Sequence, residues 1–171
     1  NLKDSSLVSR RLCSLSRSLY AAPSYIQCQG APDHPGSLKD FHCLSVKAGD
    51  SRHWTLSRGD ETVIVTPASK FVANNATMIK HLAVLGQGIA ILADALVKDD
   101  VSKGRLIPVL PEWSAGSVPV YALTESRSSP ARVQKFIEFL KDRLTAQITE
   151  PAPTKAPRAL QSIDALQSVE A

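Results

Sequence analysis

Apolar residues along this chain fall into short runs separated by polar turns, with two longer patterns of helical spacing. The clearest helical pattern covers about 76–85. Its shared apolar face consists of Met78, Ile79, Leu82 and Leu85. Asn74 and Asn75 precede the pattern as candidate N-caps, and Gly86 follows it as a candidate C-cap. The pattern predicts one helix between these residues, with its apolar face either in the core or against a partner helix.

A second amphipathic pattern begins after Ser129 and Pro130, which are typical of an N-cap and a first helical position. Its apolar stripe consists of Val133, Phe136, Ile137, Leu140 and Leu144. The character of the chain changes at about residue 145, and 150–157 contains three prolines that cannot continue a helix. This change predicts a mostly disordered tail over 145–171, in which 158–171 alone could form a marginal amphipathic helix.

The remaining apolar runs are short and predict strands. They cover 7–12, 18–22, 43–46, 71–73, 89–92, 107–110 and 118–124. A hairpin is predicted from 54–58 and 61–66. Short helical turns are predicted near 24–26, after a Ser37 cap, and over 94–98. Strands alternating with helices predict an α/β domain with a largely parallel sheet.

Composition narrows the class of protein. Hydrophobic residues make up 43% and charged residues 21%, a normal globular mix among 171 residues. No run approaches the roughly 18 apolar residues that a membrane helix needs. The net charge of +4 is only mildly basic, and 5% aromatic residues disfavour a stacking platform for single-stranded nucleic acid. An odd number of cysteines, three, favours a reducing cytoplasm over a secreted disulfide framework.

No catalytic or cofactor motif is present in the sequence, so an enzyme and a resident cofactor are not expected. The residues that could in principle converge on a metal are Cys28, His34, His42 and Cys43, but their spacing favours unconnected single residues. Gly86 and Gly88 lie after a helix and before a strand, which favours a helix end over a dinucleotide loop. Asn74 and Asn75 lie at a strand-to-helix junction, where they could cap the helix, bind a polar ligand, or do both.

Several segments, taken in order, resemble a known family. The segments are 4–12, 19–26, 30–38, 42–44, 73–75, 85–92, 104–110, 130–133 and 136–140. Their order and spacing over about 1–144 resemble the effector-binding domain of LysR-type transcriptional regulators, close to the CrgA-like subgroup. The resemblance implies a two-lobe periplasmic-binding-protein-like fold of type 2, with a small effector between the lobes, for which an anion is one option. It also implies dimers or tetramers and promoter DNA bound through an N-terminal winged helix-turn-helix.

The sequence departs from the family pattern at its N-terminal side, since it begins at Asn1 and contains no helix-turn-helix. We therefore expect the C-terminal part of a longer cytoplasmic regulator. The expected divisions are a lobe I remnant with the crossover over 1–12, lobe II over 13–116, and a return to lobe I over 117–144, followed by the tail. Lobe II is expected to be complete and lobe I partial. A periplasmic-type solute-binding module remains the alternative.

The resemblance also implies site residues. The effector cleft is expected to include Asp4, Ser5, Ser45, Val46, Lys47, Asn74 and Asn75. Asn75 with the N–H groups that follow it is expected to hold a polar group of the effector, and Lys47 to add positive charge. The expected dimer surface includes Thr77, Met78, His81, Leu82 and Leu85.

Overall fold

The computed structural model describes residues 7–47, 53–125 and 130–149, with side chains up to residue 145. The strands are β1 Val8–Ala21, β2 Cys43–Val46, β3 Trp54–Arg58, β4 Glu61–Val65, β5 Ser69–Ala73, β6 Ile89–Ala93, β7 Ile107–Val109 and β8 Ser117–Thr124. The helices are α1 Pro23–Gln29, α2 Ala76–Val84, α3 Asp94–Ser102 and α4 Ala131–Thr149, together with a 3₁₀ helix Pro35–Asp40. None of the helices in the described ranges is both long and apolar enough to cross a membrane.

The strand β1 is one continuous element, which corrects the prediction of separate strands at 7–12 and 18–22. Its first part pairs antiparallel with β8, where Ser14 lies opposite Pro119 and Ser16 opposite Ser117. Its last part pairs with both β6 and β7. The intervening serines remain extended because the partner strand supplies their backbone hydrogen bonds, a tertiary effect that overrides local sequence preference.

The main sheet has the strand order β5-β2-β6-β1-β7, and β8 pairs with the first part of β1. The strands β5, β2 and β6 run parallel, as predicted. The strand β1 runs antiparallel to both of its neighbours in the main sheet, so the sheet is mixed rather than largely parallel. The hairpin of β3 and β4 forms as predicted and is a separate two-stranded sheet.

Both faces of the main sheet are covered, because consecutive residues of its strands point to opposite sides. On one side Leu19, Cys43 and Ile89 pack with α1, the 3₁₀ helix and the hairpin. On the other side Tyr20, Leu44 and Ala90 pack with α2 and α3. Alternating apolar residues thus supply two cores from the same three strands.

The helix α2 begins after Asn75 as predicted and ends one residue earlier than predicted, with Leu85 as its C-cap and Gly86 directly after it. The Asn75 side chain caps its first turn. At the other end, the Gly86 N–H donates to the Ala83 carbonyl and the Gln87 N–H donates to the Leu82 carbonyl, both at 3.0 Å. Gly86 has φ +71°, the left-handed conformation that this helix ending requires.

The buried side of α2 differs from the predicted apolar face. Ile79 and Ala83 are fully buried, whereas Met78 is 56% exposed and Leu85 70% exposed. The sheet therefore contacts the helix along a line through Ile79 and Ala83, a spacing of four residues. Leu82 lies beside that line and is half-buried.

Three further element ends depart from prediction. The 3₁₀ helix is capped by His34, whose Nδ1 accepts from the Gly36 N–H at 3.0 Å, and not by Ser37. The helix α3 continues to Ser102. The helix α4 continues to Thr149, past the predicted change at residue 145, because no proline occurs before Pro151. The rest of the predicted tail, 150–171, lies outside the described residues.

Candidate functional site

A cleft of about 420 Å³ lies beside the carboxyl end of β2, between the hairpin and the chain leading into β8. Its lining residues are Arg17, Leu44, Ser45, Val46, His53, Trp54, Thr55, Ser57, Ile91, Ala115, Gly116 and Ser117. Half of these residues have polar or charged side chains and the rest are apolar, aromatic or glycine, and a concave site that combines the two kinds can bind a small molecule. Ligands of open α/β sheets also bind beyond the carboxyl ends of strands.

Ser45 and Val46 bring the end of β2 into the cleft wall. Ser45 is 3% exposed, and its Oγ lies 2.6 Å from the Oγ of Ser69 on β5. This hydrogen bond satisfies a buried hydroxyl and fixes the side chain. The base of the cleft is therefore held rigidly by two parallel strands.

Arg17 supplies the positive charge of the cleft. Its Nη2 donates to the Ala115 carbonyl at 2.7 Å. Its backbone N–H donates to the Gly116 carbonyl at 2.9 Å and its own carbonyl accepts from the Ala115 N–H at 3.0 Å. The Nε atom is buried and has no hydrogen-bond partner among the described residues. The guanidinium is thus fixed by a neutral carbonyl against 110–116, the segment that leads into β8.

The hairpin forms the opposite wall, contributing His53, Trp54, Thr55 and Ser57. Ser57 and Ser114 exchange backbone hydrogen bonds of 2.9 and 2.8 Å, which attach β3 to the segment that leads into β8. His53 Nδ1 lies 3.0 Å from the Thr66 Oγ1, across the base of the hairpin. These contacts hold three polar side chains and one indole ring along the cleft.

The tip of the hairpin is attached by an exposed ionic cluster. The Arg58 guanidinium lies 2.9 Å from Glu61, 3.2 Å from Glu112 and 4.7 Å from the centre of the Trp113 ring. The hydrogen bond from Arg58 lowers the pKa of Glu61. Exposed pairs of this kind contribute little each, but together with the Trp113 contact they orient the hairpin.

Two of the predicted site residues, Ser45 and Val46, line the cleft. Lys47 is exposed, outside the lining, and its backbone N–H donates to the Ala73 carbonyl at 2.7 Å. Asn74 and Asn75 are exposed and also outside the lining. The predictions for Asp4 and Ser5 lie outside the described residues.

The carboxamide of Asn75 has a structural role at the start of α2. Its Oδ1 accepts from the backbone N–H of Thr77 at 2.8 Å and of Met78 at 3.2 Å. The first free N–H groups of the helix are therefore already paired with a side chain. A direct role of Asn75 in effector binding stays a prediction.

Sequence reasoning missed Arg17, the four hairpin residues and the chain at Ala115 to Ser117. Arg17 is one of several scattered basic residues, and the serines carry no motif. Only the pairing of β1 with β8 brings Arg17 and Gly116 together. The local signal that could have drawn attention to Arg17 is that it is the one charged residue among the serines and apolar residues of 12–21.

No group of three or more His, Cys, Asp or Glu side chains that could hold a metal ion occurs within the described ranges. Cys43 is fully buried in the core, and burial raises the pKa of its thiol to about 12. The four residues considered as metal ligands are thus not assembled into one site.

The comparisons with known proteins identify the family. Residues 1–145 match the LysR substrate binding domain. This chain belongs to that family. It is 33% identical over 165 residues to an HTH-type transcriptional repressor of Pseudomonas aeruginosa, covering 94% of this chain and 52% of the relative. It is also 33% identical over 144 residues to the HTH-type transcriptional activator AaeR of Escherichia coli, covering 82% of this chain and 46% of AaeR.

Solved structures of LysR-type regulators have the same fold. The CrgA regulatory domain of Neisseria meningitidis has a TM-score of 0.72 at 28% identity and covers 83% of this chain and 71% of that one. The AphB regulatory domain of Vibrio vulnificus has a TM-score of 0.68 at 29% identity and covers 84% and 71%. The predicted resemblance and the periplasmic-binding-protein-like fold class are confirmed. The chain spans about half the length of the curated relatives it matches.

Proposed function

We propose that this chain is the effector-sensing part of a LysR-type transcriptional regulator, in which a small molecule binds in the cleft beside β2. The observation that carries the proposal is the cleft itself, where Arg17, Ser45 and the hairpin converge in a domain of this family. The chain acts by binding, without catalysis or a resident cofactor. Its membership in a family of transcriptional regulators favours this function over a periplasmic-type solute-binding module.

The regulatory part of the proposal comes from the relatives. Proteins matched by this chain are named HTH-type transcriptional regulators. We infer that promoter DNA is bound through a helix-turn-helix region outside residues 1–171, in the cytoplasm. Effector occupancy in the cleft would then change how that region meets DNA, because β1 and β8 connect the cleft to α4.

Self-association is proposed through the exposed side of α2. Thr77, Met78, His81 and Leu85 are exposed there and Leu82 is half-buried. Two large apolar side chains more than half exposed on one helix suit a protein interface better than water. Replacing Met78 and Leu85 together by Glu should shift the protein toward monomer in analytical ultracentrifugation. Ile64→Glu, at an equally exposed residue of the hairpin, is the matched control.

Effector binding is tested by blocking the cleft. A thermal-shift screen of the 171-residue chain against a metabolite library should give stabilising compounds. Thr55→Trp fills the cleft from an exposed strand position and should abolish their effect, whereas Thr62→Trp on the same hairpin, outside the lining, should preserve it. Hits that stabilise the Thr55→Trp variant as well as the parent, or no hits at all, would contradict the proposed function.

A further inference from the structure

The charges of the residues that line the cleft indicate which class of effector it can bind. Arg17 carries a permanent positive charge, and no Asp or Glu is among the described residues that line the cleft. The described ion pairs also leave Arg17 without a carboxylate. This differs from Arg58 and Arg105, each of which contacts two carboxylates.

Partial burial of a cation that has no counter-charge raises the free energy of the folded state, and a bound anion reduces this cost. One Nη atom of Arg17 binds the Ala115 carbonyl, and its Nε has no partner within the described part of the chain. The guanidinium is therefore pre-oriented by a neutral group, and none of the described carboxylates balances its charge. Such a pre-oriented group binds an anion at a reduced entropic cost.

Besides Ser45, three side chains with hydroxyl groups line the same cleft as Arg17. Ser57 and Ser117 line the cleft with Arg17, and Thr55 lies along the same hairpin strand. Hydroxyls can donate to an oxyanion while Trp54 and Ile91 offer apolar surface to the rest of a ligand. This arrangement suits a small molecule with one anionic end and an apolar body.

We propose that the cleft selects an effector bearing a carboxylate or a comparable oxyanion, and that Arg17 is the residue that binds it. This inference rests on the proposed function, since it names the ligand chemistry of the same cleft. Arg17 forms the charge-assisted hydrogen bonds, and the neighbouring hydroxyls complete them. The same guanidinium binds the Ala115 carbonyl, so an anion at Arg17 also contacts the group that fixes the segment leading into β8.

The experiment divides the thermal-shift library into carboxylates, phosphates, their neutral amide or alcohol counterparts, and amines. Benzoate against benzamide, succinate against succinamide, and inorganic phosphate alone are included as defined probes. The expected hits are oxyanions. Comparing the carboxylate probes with inorganic phosphate shows which of the two kinds of oxyanion the cleft binds. Calorimetric titration of each hit should show Arg17→Met binding about tenfold to a hundredfold more weakly than the parent.

Two further variants keep the test decisive. Arg17→Lys retains the charge and should recover part of the affinity, while Arg11→Met, at an exposed position on the same strand, should leave the affinity unchanged. Neutral or cationic hits that Thr55→Trp blocks and Arg17→Met leaves intact would overturn the anion inference while the proposed function stands. Absence of any hit sensitive to Thr55→Trp would instead overturn both.

Discussion

The carboxylate of Asp100 on α3 lies 2.9 Å from the Nζ of Lys80 on α2. Asp100 is 4% exposed, and its other oxygen accepts from Arg105 Nε at 2.7 Å. Two cations from separate segments thus converge on one buried carboxylate. The ion pair between Lys80 and Asp100 connects α2 and α3, the two helices that cover one face of the sheet. The strand β2, whose carboxyl end borders the cleft, belongs to that sheet.

Asp100→Asn should therefore lower the free energy of unfolding by about 2 kcal/mol, measured by urea denaturation at pH 7. Burial alone would raise the pKa of Asp100, but the hydrogen bonds from Lys80 and Arg105 lower it below its usual value. Because the folded-state pKa is depressed, this stabilisation is present above about pH 4 and is lost as the pH falls further. The gap between parent and variant should narrow on acidification.

Asp99→Asn is the matched control for this measurement, since Asp99 is exposed and contacts Lys103 and Arg105. It should change stability less than Asp100→Asn does. Equal losses for the two variants, or a gap that persists at pH 2, would show that the buried carboxylate does not supply the stabilisation.

The two neighbouring asparagines before α2 should behave differently. Asn75→Ala removes the acceptor of two backbone N–H groups and should cost about 1 kcal/mol of unfolding free energy. Asn75→Asp keeps the cap and should retain most of the stability, and Asn74→Ala should have the smaller effect. Urea denaturation of the three variants measures this order. Titrating each with a library hit also tests the effector role, which predicts weaker binding by Asn75→Asp despite its intact cap.

Gly88 is constrained because it lies close to the backbone of His42, the residue that precedes β2. A β-carbon there would collide with the carbonyl of His42, which already accepts from the Ile89 N–H at 2.9 Å. Gly88→Ala should therefore destabilise the protein by about 2 kcal/mol or more. Gly104→Ala, where a β-carbon meets open space, should cost about 1 kcal/mol from backbone conformation alone. Thermal melts that rank the two variants in the opposite order would contradict this contact.

The buried thiol of Cys43 predicts a loss of stability in alkali. Its folded-state pKa is raised to about 12 by burial, so above about pH 9 the unfolded chain releases a proton that the folded chain keeps. The free energy of unfolding should fall as the pH rises from about 8 to about 10. Cys43→Ala should show a shallower fall, and Cys28→Ser, at an exposed cysteine, should follow the parent. Parallel curves for parent and Cys43→Ala would refute the assignment.

Local patterns predicted most elements because these depend on nearby residues. The Asn75 cap before α2 and the turn at Gly86 after it are determined within a few residues, and so is the hairpin around Gly59. The two-lobe architecture was predicted from the resemblance to a family, because the spacing of apolar residues indicates only single strands and helices. The long β1 was missed because its serine-rich middle is held extended by β8, which lies about a hundred residues away in the chain.

The cleft was predicted less well than the fold. Ser45 and Val46 were predicted through the family resemblance, at the end of the strand that begins at Cys43, and both line the cleft. Arg17 and Ser117 become neighbours only through antiparallel pairing, and Trp54 was predicted only as the first residue of a hairpin strand, although it also lines the cleft. Long-range register, which one sequence does not reveal, decides which polar residues share this site.

The most direct test of the account is a crystal structure of the chain with a stabilising compound from the screen. The account predicts that the compound lies in the cleft between Ser45, Trp54 and Arg17, with its oxyanion at the guanidinium. A compound bound elsewhere on the domain, with the cleft holding only water, would contradict it.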